Sequence, residues 1–259
     1  MDYFESFIDG IKGGNFLNIL LGFISLLIII VSVFAFFVSI YLSISYFKYN
    51  RKKNSAGMTG KEVARKILDD NGLENIKVSK FGSFLFGNSY SHYFKKVRLR
   101  RLICDKNSIT SMAMATEKSA LALLDKENDP DMKKRIKLIP IIFFGPFMFV
   151  PLIIIGVILD IIIFNSIGLI SLLTTVFGLL IYVYSFVLSV KVLKTEIKAQ
   201  ERAIKIMEES NLASEEEIVM MKDLYRLYNI EYINDMVIAL LELIYYIIKI
   251  IISVKSDQN

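Results

Sequence analysis

From Gly13 to Phe47 the chain carries no charged side chain. A bilayer core about 30 Å thick takes roughly 20 apolar residues as a helix, so this run alone commits the chain to a membrane. Three more runs follow: Leu138 to about Leu159, about Ile167 to Val190, and about Met236 to Val254. The last is interrupted by Glu242 and Lys249. A hydrophobic fraction of 54% and a mean hydropathy of +0.50 are too apolar for a soluble globular domain of 259 residues. The expected fold class is mainly α: a four-span helical integral membrane protein with a small α/β region on one side.

The first run reads as a permanent anchor. The segment before it (Asp2, Glu5, Asp9, Lys12) is acidic, the run is too long for a signal peptide, and no small-residue cleavage site follows. The single cysteine, Cys104, rules out an intrachain disulfide and suits a reducing compartment. Tryptophan is absent, so any aromatic belt is built from tyrosine and phenylalanine.

Positive charge sets the orientation. Residues 48–138 hold 21 of the 31 Lys and Arg. Lys48, Arg51, Lys52 and Lys53 follow the first run at once, and Lys191, Lys194 and Lys198 follow the third. The link from Asn165 to Gly168 has none. The consistent solution is a plasma-membrane protein with its N-terminus outside. Span one occupies 1–47, an inner α/β region 48–137, a membrane hairpin 138–193, an inner helical segment 194–235, and span four with the C-terminus 236–259. The net charge of +5 is then mostly a topological determinant. The basic face meets anionic lipid; no nucleic-acid motif is present.

Within the inner region, Thr59 and Glu62 form a capping box, and Asn71-Gly72 makes a stop, predicting a helix from about 60 to 70. Short β-prone runs follow at Ile76–Ser79, Ser83–Phe86, Tyr90–Phe94 and Val97–Cys104. Residues 108–124 are rich in Ala, Met and Leu and predict a helix. Residues 125–137 read as a polar linker. Pro140, Gly145, Pro146, Pro151 and Gly156 predict kinking or a re-entrant entry in span two. Glu196–Glu209 predicts a helix, and Ser214 with Glu217 caps another from about 215 to 228.

The 108–124 helix contains Thr116-Glu117-Lys118-Ser119-Ala120. Together with the run SAGMTGKEVARKILDDNGL (55–73), Ser91-His92-Tyr93, Val97-Arg98-Leu99 and Glu196 after the third span, it resembles the neutral zinc membrane metallopeptidases of the YugP-like group, in order and over nearly the whole chain. The resemblance implies a zincin-like inner region. There the helix carries H-E-x-x-H, two zinc ligands one turn apart around a glutamate base. Carried over, the ligand positions fall on Thr116, Ala120 and Glu196, and the base falls on Glu117. The family pattern also has an aspartate before its His-Tyr pair and D-P after it, where this chain has Ser91 and Phe94-Lys95.

A catalytic zinc takes three protein ligands and a water. Thr116 is a poor neutral ligand, Ala120 has no donor, and Lys118 adds a positive charge beside the old site, which further opposes a cation. His92 and Cys104 are the remaining soft ligands and the candidate substitutes. Glu117 otherwise reads as a helix-surface charge, and Glu196 as a structural ion pair with Lys194 or Lys198. The expectation is therefore a non-catalytic homologue with a binding or regulatory role, whose partner is a membrane protein or peptide. No catalytic residue and no cofactor is assigned; zinc enters only if a site functions. Two alternatives remain: an active zinc peptidase with a rearranged site, and a small channel or carrier around Asp160 and Glu242. A charge at mid-bilayer costs about 2.5–3.5 kcal/mol, so Glu242 should face the bundle interior with Lys249 on the same side. Asp160 lies near the outer end of span two and should reach the interface.

Overall fold

The computed structural model describes residues 2–12, 16–81, 87–165 and 168–256. It is mainly helical and divides into two compact units, residues 1–41 with 228–259, and residues 42–227. Three helices are long and apolar enough to cross a membrane among the described residues: α2 (Phe16–Arg51), α6 (Pro130–Phe164) and α7 (Leu169–Ser210). The fourth apolar run lies on α8 (Glu215–Ser256).

In the first unit, α1 (Asp2–Lys12) accompanies the start of α2 and the end of α8. Ile24, Ile28, Tyr245 and Ile248 form its core, and Tyr3, Leu20, Leu21 and Ile244 pack against them. Gly10 and Gly22 let α1 touch α2: a Cβ on Gly10 would lie 2.7 Å from the Gly22 Cα. Glu242 accepts a hydrogen bond from the hydroxyl of Tyr3, far away in sequence, at 3.0 Å. Lys249 lies over the Tyr245 ring, 5.7 Å from its centroid.

The second unit is built around α5 (Ile109–Lys126). Ile109, Met112, Ala113, Ala115, Thr116, Ser119, Ala120 and Leu121 are all fully buried, so the helix is covered on every side. Its small residues make that possible, and a helix buried all round shows little one-sided patterning. Beside it lies α3 (Gly60–Asp70), with both halves of the Thr59–Glu62 capping box made. Gly60 must be glycine, because a Cβ there would stand 2.2 Å from the Ile103 carbonyl oxygen, on the short helix α4 (Arg101–Cys104).

A three-stranded sheet has the order β1 (Lys77–Phe81), β3 (Lys96–Arg100), β2 (Ser89–Ser91). β1 runs parallel to β3, with Val78 opposite Val97, and β2 runs antiparallel to it, with Tyr90 opposite Val97. The run expected as a strand to Cys104 leaves the sheet at Arg100 and turns helical, burying Ile103 and Cys104. The run Ser83–Phe86 lies outside the described residues.

Two expectations need correction. The linker 125–137 is mostly helix: Asp129 accepts from the backbone N–H of Asp131 and Met132, and Pro130 takes the first helical position, where its missing N–H costs nothing. Span two is one continuous helix through all its prolines and glycines. Its glycines are contact points with α7: a Cβ on Gly145 would fall 1.7 Å from the Ser185 Oγ, and one on Gly156 1.9 Å from the Thr174 Oγ1. Small residues allow such close approach between membrane helices. Asp160, near the end of α6, is buried and accepts the backbone N–H groups of Gly168, Ile170 and Ser171 at 2.8, 3.0 and 2.7 Å. It caps α7 from the neighbouring helix.

Candidate functional site

Thr116 and Ala120, both fully buried, lie one turn apart on α5. The Thr116 hydroxyl donates to the Met112 carbonyl at 2.7 Å, one turn back on its own helix. Glu117, 5% exposed, accepts from the Gln200 amide at 3.2 Å through Oε1, and Oε2 stands 3.0 Å from the Lys118 ammonium. Glu196 enters from α7. Its Oε1 accepts from Arg135 Nε and NH2 at 2.8 and 2.6 Å, and its Oε2 lies 3.4 Å from Lys118 Nζ.

Three helices thus meet in one cluster of four charges: Glu117 and Lys118 from α5, Arg135 from α6, and Glu196 from α7. Burial alone would lower the Lys118 pKa, and the Arg135 charge acts the same way, but the two carboxylates outweigh both and hold it above its ordinary value. Lys194 and Lys198, the partners expected for Glu196, pair instead with Asp131 (3.2 Å) and Asp129.

The candidate substitutes lie elsewhere. His92 follows β2 and places Nδ1 2.7 Å from Asp125 Oδ2, an oxygen that also accepts from the Tyr90 hydroxyl at 2.5 Å and faces Lys95 at 3.6 Å. Burial would raise the Asp125 carboxyl; the hydrogen bonds from Tyr90 and His92 and the Lys95 charge reverse this and hold it below the usual range. Cys104 is buried on α4, and burial first, with Asp105 second, pushes its thiol up, which makes it a packed side chain rather than a reactive one. No three His, Cys, Asp or Glu residues converge in a metal-holding group among the described residues.

A family model described as "Putative neutral zinc metallopeptidase" matches residues 24–251. The chain belongs to this family. "Putative membrane protease YugP" of Bacillus subtilis (strain 168) is 29% identical over 160 residues, which cover 62% of this chain. The chain spans 66% of that relative's length, just under two thirds. No solved structure matches the chain.

The zinc in the family's name can be tested against the donors present. Zinc favours thiolate and imidazole, with carboxylate as a third partner in catalytic sites. At Thr116, Glu117, Ala120 and Glu196 the chain offers one hydroxyl, one methyl and two carboxylates. Both carboxylates are already neutralised by side chains. This donor set does not fit zinc.

Arg135, Gln200 and Asp125 were missed in the sequence. For Arg135 a signal existed: Asp129-Pro130 is a helix start, and it carries the helix through a stretch that reads as linker. Gln200 and Asp125 had none, because their partners are distant in sequence.

Proposed function

We propose that this chain is a non-catalytic member of the zinc metallopeptidase family, a pseudopeptidase in which the H-E-x-x-H motif has degenerated to Thr116-Glu117-Lys118-Ser119-Ala120. It keeps the scaffold to bind a membrane protein or peptide, or to regulate an active relative. The observation that carries this reading is the donor set: no imidazole or thiolate accompanies Glu117 and Glu196, and both carboxylates already have cationic or amide partners. Without a metal to lower the pKa of a bound water from 15.7 to about 7, a buried glutamate has no strong nucleophile to deprotonate at neutral pH.

The topology belongs to the same proposal. α2, α6, α7 and the apolar part of α8 form four spans in the plasma membrane, with the N-terminus outside. The zincin-like region and the residues that follow span three face the cytoplasm. The excess of Lys and Arg in 48–138 supports this orientation.

Metal analysis by mass spectrometry on detergent-purified chain, paired with peptide hydrolysis assays on native and Glu117→Gln protein, tests the reading. The expected result is no stoichiometric zinc and no hydrolysis that depends on Glu117. Near one zinc per chain, or hydrolysis lost in Glu117→Gln, sinks it and leaves the active peptidase with a rearranged site.

A further inference from the structure

Lys118 Nζ stands between two carboxylates on different helices, 3.0 Å from Glu117 Oε2 and 3.4 Å from Glu196 Oε2. The Lys118 side chain is only 13% exposed, and those of Glu117 and Glu196 are 7% and 22% exposed. Arg135 holds the other Glu196 oxygen from a third helix. Two carboxylates and two cations leave the cluster formally neutral. Two buried carboxylates this close repel unless a cation lies between them. A divalent ion could fill that place; here an ammonium belonging to α5 fills it.

We propose that Lys118 is a tethered cation that occupies the position between Glu117 and Glu196 and keeps divalent metal ions out of it. This deepens the metal-free reading and rests on it. It makes a separate claim: the missing histidines are one barrier to metal, and the Lys118 charge is a second, independent one. The reason is Coulombic. A dication entering the cluster meets a full positive charge within a few ångströms, in a partly desolvated place where charge interactions are several times stronger than in water. Moving the ammonium out to solvent would remove the counter-charge from Glu117 and strip one of two from Glu196.

The test is zinc titration by calorimetry into the full-length chain in detergent, for native protein, Thr116→His/Ala120→His, and the same pair with Lys118→Met added. Methionine keeps the unbranched side chain up to its last atom and removes the charge. The triple variant should bind near one zinc per chain, roughly a hundredfold tighter than the double variant. Adding Glu196→Gln to the triple variant should abolish most of that gain. Equal affinity of the double and triple variants, or no binding by either, overturns this inference and leaves the metal-free reading of the native chain intact. Tight zinc binding by the native chain overturns both. If the triple variant does not fold, Thr116→His/Ala120→His/Lys118→Gln takes its place: zinc should raise its unfolding temperature more than that of the double variant, and equal shifts, or none in either, overturn the proposal.

Discussion

Asp160 and Glu196 are both buried or nearly buried acids on the long hairpin helices, and each is satisfied differently. Asp160, at the end of α6 where the chain reverses, uses three backbone N–H groups at the start of α7 and no cation. The helix dipole and those donors complete the solution. Glu196, beside α5, uses Arg135 and Lys118. The difference follows from what each neighbourhood can offer. At the hairpin turn the backbone N–H groups at the start of α7 serve, and a carboxylate eight to eleven residues away can reach them. Where the helices meet α5, side chains 61 and 78 residues distant are brought in, and full charges can be matched. The first arrangement fixes a turn. The second fixes three helices against one another.

Removing one cation should show the contrast most strongly. Arg135→Met leaves Glu196 under-compensated, and breaking a buried pair costs about 3–5 kcal/mol, less here in proportion to the partial exposure of Glu196. The unfolding temperature in detergent should fall sharply. Adding Glu196→Met should recover a large part of it; a double variant as unstable as the two single losses summed would show that the pair is not coupled. Gly145→Val should also be severe, because even a Cβ collides with Ser185, and overpacking costs about 1–3 kcal/mol. Unchanged stability there would mean that α6 and α7 can part without loss. Asp160→Ala should cost about 1–2 kcal/mol, the range for losing a cap. An effect as large as that of Arg135→Met would erase the distinction drawn above.

The smallest effect concerns pH. Asp125 has a depressed pKa in the folded chain, so its contribution is complete above the ordinary carboxylate value near 4 and is lost as pH falls through the lower, folded value. Asp125→Asn should therefore flatten the acid limb of a stability–pH curve and lower its neutral plateau toward the acid level. If the acid limb is unchanged in that variant, the Tyr90–Asp125–His92 hydrogen bonds do not contribute to it.

Features made by neighbours in sequence were legible. Both capping boxes, Thr59–Glu62 and Ser214–Glu217, are made as the spacing predicts, because such a box needs only one turn of chain. The apolar runs on α2, α6 and α7 were legible for the same reason. The prolines and glycines of α6 misled, since a breaker rule describes an isolated helix, whereas Gly145 and Gly156 here answer to the surface of α7. Lys118 was read as opposing a cation from its place beside Glu117. That its ammonium also reaches Glu196 was not legible, since nothing in the order of residues says which α7 side chain comes to lie opposite α5.

The unbroken course of α6 and α7 has a mechanical consequence. Arg135 stands near the start of a 35-residue helix, and Glu196 lies within one of 42 residues that reaches both sides of its apolar run. At 1.5 Å per residue these rods are about 50–60 Å long, and neither breaks between its apolar run and its half of the ion pair. Parting the guanidinium from the carboxylate therefore means moving a whole helix, which makes the pair a clasp between two stiff levers.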